Sequence, residues 1–350
     1  MLKFVMASAF LVFATSLNSM GLRNAQPETS TRQVMAAADV QMTLAAIAYV
    51  DDSGNVQQIR AAMQRELAKK KYATKGQWRL VWGPATRGGN LVYIAQNQEH
   101  PRLYSVVIRG TDFDLLADDI EDIWVTQTPY PYASSASGHP RVSRGSLAGL
   151  HHIQRMKDVQ TGRSLEDFVK DASRHEEIEL VITGHSLGGG LASLVLLWLH
   201  DALPQWNIPI TNVNLSGYTF AGPTVGNTHF ADYFNTGVGT SFYRLVNPLD
   251  IVPRSYDDLS SVVEENVPEK VPLKYRLIID AIKAYLFTHR LEFRQVETKI
   301  LLGSVGLPSS TPYLTHVIEQ HRPNSYLYLL GAPQLDVGEA SALAQYELKK

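Results

Sequence analysis

From Gln33 to Tyr72 the apolar residues recur at helical spacing. Val40, Leu44, Ile47 and Ala48 fall on one stripe, and Asp51-Asp52-Ser53-Gly54 interrupts it. The period then shortens. Three runs rich in β-branched and aromatic residues follow, Arg79–Trp82, Leu91–Ala95 and Tyr104–Ile108, with turns predicted at Gly83-Pro84 and Gly88-Gly89-Asn90. Asp112 to His139 is irregular and rich in Pro, Tyr, Ser and Asp. Beyond it, helices are predicted at 145–158, 164–173, 186–203, 227–235 and 274–287, and a last one around 325–330. Strands are predicted at 178–183, 215–220, 240–246 and 291–296. Strands alternating with helices predict an α/β fold with a mostly parallel central sheet and helices on both faces. Neither a repeat nor a long linker divides the chain. Residues 33–335 read as one domain and 336–350 as a C-terminal tail.

The N-terminus departs from this pattern. Lys3 precedes an apolar run from Phe4 to Ala14, and Ala14-Thr15-Ser16 places small residues at the −3 and −1 positions of a cleavage after Ser16. Residues 1–16 are read as a signal peptide and 17–32 as a flexible leader, which predicts a secreted or periplasmic protein. The run is shorter than a bilayer span, and no Cys follows it to carry a lipid anchor.

Composition narrows the chemistry. The 350 residues carry 32 Lys plus Arg against 34 Asp plus Glu, a net charge of −2 that offers no general attraction to nucleic acid. With no cysteine, a disulfide framework, a thiolate metal site and a cysteine nucleophile are all excluded. His151-His152 and His175-Glu176-Glu177 lack the spacing of a metal site and read as surface. No metal and no cofactor is called for.

The strongest chemical signal is Gly184-His185-Ser186-Leu187-Gly188, which follows a β-branched run and opens an apolar helix. A serine on so sharp a strand-to-helix turn has strained backbone angles. Gly184 and Gly188 remove the side chains that would collide there. The helix that begins at the turn aims its N–H groups and positive dipole end at developing negative charge, so the Leu187 N–H is a candidate oxyanion donor. A nucleophilic Ser186 needs a base and an orienting carboxylate, in the chain order Ser, acid, His. Asp250, in a proline-stiffened loop after the strand 240–246, is the favoured acid over Asp257 and Asp258. On order alone His289, His316 and His321 all stand as the base.

Four blocks of this sequence resemble the class 3 lipase family, fungal-lipase-like α/β-hydrolases, in a secreted bacterial-type version. They are Val106-Val107-Ile108-Arg109-Gly110-Thr111, Thr183 to Gly189, Thr219 to Asn227 with Phe230 and Ala231, and Arg244-Leu245-Val246-Asn247 with Asp250-Ile251-Val252-Pro253. The resemblance implies the α/β-hydrolase fold and selects His321, because the family's catalytic histidine is followed five positions later by Tyr, here Tyr326. It also implies a second oxyanion donor at the Thr111 N–H, with Asp118 or Asp119 orienting the Thr111 hydroxyl and Arg109 structural. It implies a serine ester hydrolase, a lipase or esterase acting on acylglycerol-type lipids, whose partners are a lipid or ester substrate and, transiently, a lipid interface. A phospholipase A, a toxic lipase effector and a non-catalytic hydrolase-fold binding protein are the competing readings.

The sequence departs from the family at Val142-Ser143-Arg144-Gly145-Ser146, where the usual His and Phe are absent, which weakens the expected packing there. The stretch after Thr111, where a lid would stand, is acidic and rich in Tyr and Pro. An apolar pocket is expected to be walled by Phe113, Leu115, Leu116, Ile123, Trp124 and the helix 277–287. In that helix the stripe Leu277, Ile278, Ala281, Ile282, Tyr285 and Leu286 is expected to be core rather than lipid-facing surface.

Overall fold

A computed structural model of the chain describes residues 31–50, 54–110, 126–133, 138–264 and 271–336. Two units separate at Ala36/Ala37. Only residues 31–36 of the first are described, and the fold below is that of the second.

Among the described residues seven strands form the sheet: β1 (Trp78–Arg87), β2 (Asn90–Asn97), β3 (Leu103–Ile108), β6 (Ile178–His185), β7 (Val213–Phe220), β8 (Phe242–Val246) and β9 (Lys299–Leu301), side by side in that order. The first three pair antiparallel, and every pairing from β3 to β9 is parallel. Between β3 and β6 a small antiparallel ribbon stands apart, β4 (Gln127–Pro129) with β5 (Arg141–Ser143).

Alternation along the strands assigns the two faces. Ile94, Val106, Ile182 and Leu215 point into one core with α3 (Arg144–Gln154), α4 (Leu165–Ala172), α5 (Leu187–Ala202) and α6 (Thr228–Gly237). The other face carries residues 37–47 of α1 (Thr31–Ile47), α9 (Tyr313–His321) and α10 (Pro323–Leu330). There the Tyr93 hydroxyl donates to the Leu44 carbonyl at 2.6 Å, and the Phe220 and Tyr326 rings lie 6.4 Å apart. The helices are started by side chains suited to the work. Ser164 caps α4 and Asn227 caps α6, each accepting an N–H of the first turn.

Four features differ from the pattern in the sequence. Gly83-Pro84 lies inside β1 rather than in a turn. The register against β2 shifts on either side of Trp82, and the Gly83 N–H is taken by buried Asp158 at 2.9 Å instead of by a strand. Residues 291–296 are not a strand, because the place beside β8 goes to Lys299–Leu301, paired Arg244↔Lys299 to Val246↔Leu301. The alternation there reflects Phe293 and Val296 buried from a loop. Helix α9 and the β4–β5 ribbon carried too few periodic residues to be read. Finally, α8 (Leu273–Thr288) buries the expected stripe in part. Leu286 is buried and Ile278, Ile282 and Tyr285 are half-buried, with Ile279 buried beside them, while Leu277, Ala281 and the flanking Leu273 and Phe287 face outward.

Candidate active site

Ser186 stands where β6 gives way to α5. Its φ of 58° and ψ of −134° are a backbone state that side-chain-bearing residues rarely adopt. The surroundings hold it there. A Cβ on Gly184 would sit 2.3 Å from the Gly188 carbonyl oxygen, and one on Gly188 would sit 2.2 Å from that of Ile108. Both obstacles are backbone, so neither position accepts a side chain. Gly189 and Gly190 donate to the Ser186 carbonyl, whereas the Leu187 N–H, first in the helix, meets no acceptor among the described residues.

The parallel pairing of β3 with β6 places Ile108 opposite Gly184. Two residues later Gly110 passes so close that an added Cβ would lie 2.8 Å from the Ser186 Cβ. Thr111, Asp118 and Asp119 fall outside the described residues, as do Phe113, Leu115, Leu116, Ile123 and Trp124.

Asp250 follows β8 and His321 closes α9. The structure brings both to Ser186. His321 Nε2 lies 2.8 Å from the Ser186 Oγ, and His321 Nδ1 lies 2.8 Å from the Asp250 Oδ2. All three side chains are buried. Because a carboxylate accepts at Nδ1, that nitrogen carries the proton, which leaves Nε2 free to accept from the serine hydroxyl. The arrangement can withdraw the Oγ proton and hold the imidazolium that results. His316 is buried elsewhere in α9, and His289 sits exposed at the end of α8, hydrogen-bonded to Tyr285.

Asp250 is held from three sides. Beyond His321, its Oδ2 accepts the Tyr326 hydroxyl at 2.8 Å and its Oδ1 accepts the Val252 N–H at 3.0 Å. Burial and the adjacent carboxylate keep Tyr326 protonated far beyond the usual phenol range, so it donates throughout. Asn247 fixes the loop. Its N–H donates to Tyr326, its Nδ2 donates to the Gln320 carbonyl and side-chain oxygens, and Gln320 in turn bonds the Val305 backbone. Gln320 carries no sequence signal beyond its place next to His321. Tyr326→Phe is expected to slow covalent capture of Ser186 by a fluorophosphonate about tenfold, with the protein still folded. An unchanged capture rate would show that Tyr326 adds nothing to the relay.

A second histidine supports the first. His185 Nε2 donates to the main-chain carbonyl of His321 at 2.7 Å, and its Nδ1 accepts from the Tyr49 hydroxyl at 3.0 Å. Tyr49 follows α1 and belongs to no motif, so nothing in the sequence marks it. Burial, reinforced by the neighbouring His321 ring, holds His185 well below the ordinary histidine value of 6.5 and so neutral. The unfolded chain binds a proton near that value, whereas the folded chain binds it only at lower pH. Stability from this site is therefore complete above about pH 6.5 and lost as pH falls below it. His185→Gln should flatten that acid limb, measured as unfolding free energy from pH 7 to pH 5; parallel curves for the two proteins would overturn the assignment.

Comparison with known proteins agrees with this geometry. Residues 105–258 match the family model Lipase (class 3). Over this stretch, less than half of its length, the chain is similar to the class 3 lipase family. Over 165 residues it is 40% identical to a lipase of Rhizopus niveus, covering 46% of this chain and 36% of that protein. Over 168 residues it is 38% identical to a triacylglycerol lipase of Arabidopsis thaliana, covering 39% and 32%. The chain thus spans about a third of the length of these curated relatives. The solved structure of M37 lipase superposes with a TM-score of 0.74 at 27% identity, covering 86% of this chain and 93% of that one. The fold is that of the α/β-hydrolases. The segment matched to the class 3 lipases holds Ser186 and Asp250 and stops short of His321, so the histidine enters the site on geometry. Where the family's His and Phe are missing, Val142 is buried and Ser143 caps α3, its Oγ accepting the Ser146 N–H at 3.1 Å.

Proposed function

We propose that this chain is a member of the class 3 lipase family and a serine carboxylic ester hydrolase acting on acylglycerol-type lipids. The observation that carries the reading is the continuous hydrogen-bonded line from the Ser186 Oγ through His321 to Asp250. As Oγ bonds to the ester carbonyl carbon, its proton passes to His321 Nε2, and Asp250 stabilises the imidazolium. The oxyanion is received by the N–H groups of Leu187 and Thr111, each of which contributes about 10²–10³ in rate. Collapse breaks the ester C–O bond, and the departing alkoxide takes the proton from Nε2. Water then repeats the sequence on the acyl-enzyme, releasing the acid and restoring Ser186. Residues 33–335 serve as one domain in this reading, and Met1–Ser16 directs it to the periplasm or the medium.

The test is hydrolysis of para-nitrophenyl esters of increasing chain length, triacylglycerols and phospholipids by the purified protein, with Ser186→Ala beside it. Turnover of acylglycerols that vanishes in the variant is the expected result. Turnover confined to phospholipids would make the protein a phospholipase A instead. Failure of a fluorophosphonate to label Ser186 would point to a non-catalytic binding protein.

A further inference from the structure

The helix that carries the base has an end built from side chains. Pro323 stands two residues past His321 and has no N–H to give, so carbonyls in the last turn of α9 find their donors elsewhere. The Glu319 carbonyl accepts the Ser325 hydroxyl, the Gln320 carbonyl accepts Asn247 Nδ2 at 2.9 Å, and the His321 carbonyl accepts His185 Nε2 at 2.7 Å. His185 therefore grips the main chain of the base itself. That grip needs one form of the imidazole. Nε2 must carry the proton, which in the neutral ring leaves a lone pair on Nδ1. The lone pair is buried, and the Tyr49 hydroxyl donates to it from 3.0 Å. Hydrogen bonds in series strengthen one another, so donation into Nδ1 makes Nε2–H the better donor.

Two neighbours limit what can stand here. The His185 ring lies 4.9 Å from the ring of His321 and 5.6 Å from that of Tyr326, centre to centre. A charge on His185 would face the imidazolium that forms on His321 during turnover, so the place admits a neutral donor. A phenol satisfies Nδ1 without adding charge. Gly110 makes room for it, since a Cβ there would lie 2.5 Å from the Tyr49 hydroxyl oxygen.

We propose that Tyr49 is a positioning residue for ester hydrolysis: its hydroxyl holds His185 as a neutral Nε2–H donor, and His185 holds the main chain of His321 so that the base stays aligned on Ser186. The proposal rests on the ester-hydrolase reading. Tyr49 takes no proton from the substrate; it acts through one histidine on another, from a position 136 residues away in the chain.

The experiment starts from the full chain. At about pH 7 the ¹⁵N spectrum of its imidazoles should show His185 neutral with the proton on Nε2. A proton on Nδ1, or a charged ring, would overturn the proposal. Tyr49→Phe removes one hydroxyl. It should lower kcat on a soluble para-nitrophenyl ester about tenfold with KM within about twofold, in a protein whose denaturant midpoint shows it folded. A kcat like that of the parent, or a loss that lies in KM, would overturn the proposal. His185→Phe keeps a ring between Tyr49 and His321 but cannot donate, and should lower kcat about tenfold or more. Adding Tyr49→Phe to it should cost less than about twofold further, because the hydroxyl acts through the imidazole. Losses that multiply would overturn the proposal. So would a His185→Phe enzyme as fast as the parent, whether or not Tyr49→Phe folds. A parent that hydrolyses no ester would overturn the hydrolase reading instead, and the spectrum would still accept or reject the chain of hydrogen bonds.

Discussion

Ser186→Ala is expected to lower kcat for ester hydrolysis by about 10⁶-fold, because a serine, its base and its orienting acid act as one unit. The protein should remain folded, since alanine removes only a hydroxyl from a turn whose backbone is set by its glycine neighbours. His321→Ala should cost about as much on its own, and the double variant little more than either alone. Additive losses would mean that the 2.8 Å contact between the two side chains has no part in turnover. Residual activity over water should survive in each, supplied by the oxyanion donors and by binding.

Asp250→Asn should lower kcat about 10⁴-fold, for a reason visible in the bonding. The carboxylate accepts three hydrogen bonds, from His321 Nδ1–H, the Tyr326 hydroxyl and the Val252 N–H. An amide has one accepting oxygen and one NH₂ group, so at least one of these donors must face another donor. If the NH₂ faces His321, Nδ1 becomes the acceptor, the proton moves to Nε2, and the base can no longer take the serine proton. If the NH₂ faces Val252, a buried main-chain N–H loses its partner. The kcat of Asp250→Asn against pH, together with its denaturant midpoint, separates the two. A variant within tenfold of wild type would remove Asp250 from the mechanism.

The parts of this site that the sequence reveals are those where a turn or a close approach permits one residue type. Gly184 and Gly188 are dictated by backbone obstacles within 2.3 Å, and such constraints leave a local signature. The strands β2, β3, β6 and β7 are likewise visible, because buried central strands are rich in apolar, β-branched and aromatic residues. His321 is different: chain order leaves three histidines open, and the spacing to Tyr326 that the family resemblance implies selects among them. Tyr49 and Gln320 leave no mark in the sequence because they act across 136 and 73 residues of chain, on His185 and Asn247 respectively. Helix α8 is legible in part, because periodicity reports a face without saying how much of it lies against protein. Six apolar residues at helical spacing look the same from the sequence whether protein or solvent is on the other side.

The pairing of Ile108 with Gly184 has an effect on assembly as well as on chemistry. A slip of β3 by a single residue would turn its side chains to the opposite faces and carry Gly110 off the nucleophile. Misregistered molecules would be compact and inert. In a refolding experiment the yield counted by active-site titration would then fall short of the yield counted by tryptophan fluorescence, and the difference would measure how faithfully two neighbouring strands find their alignment.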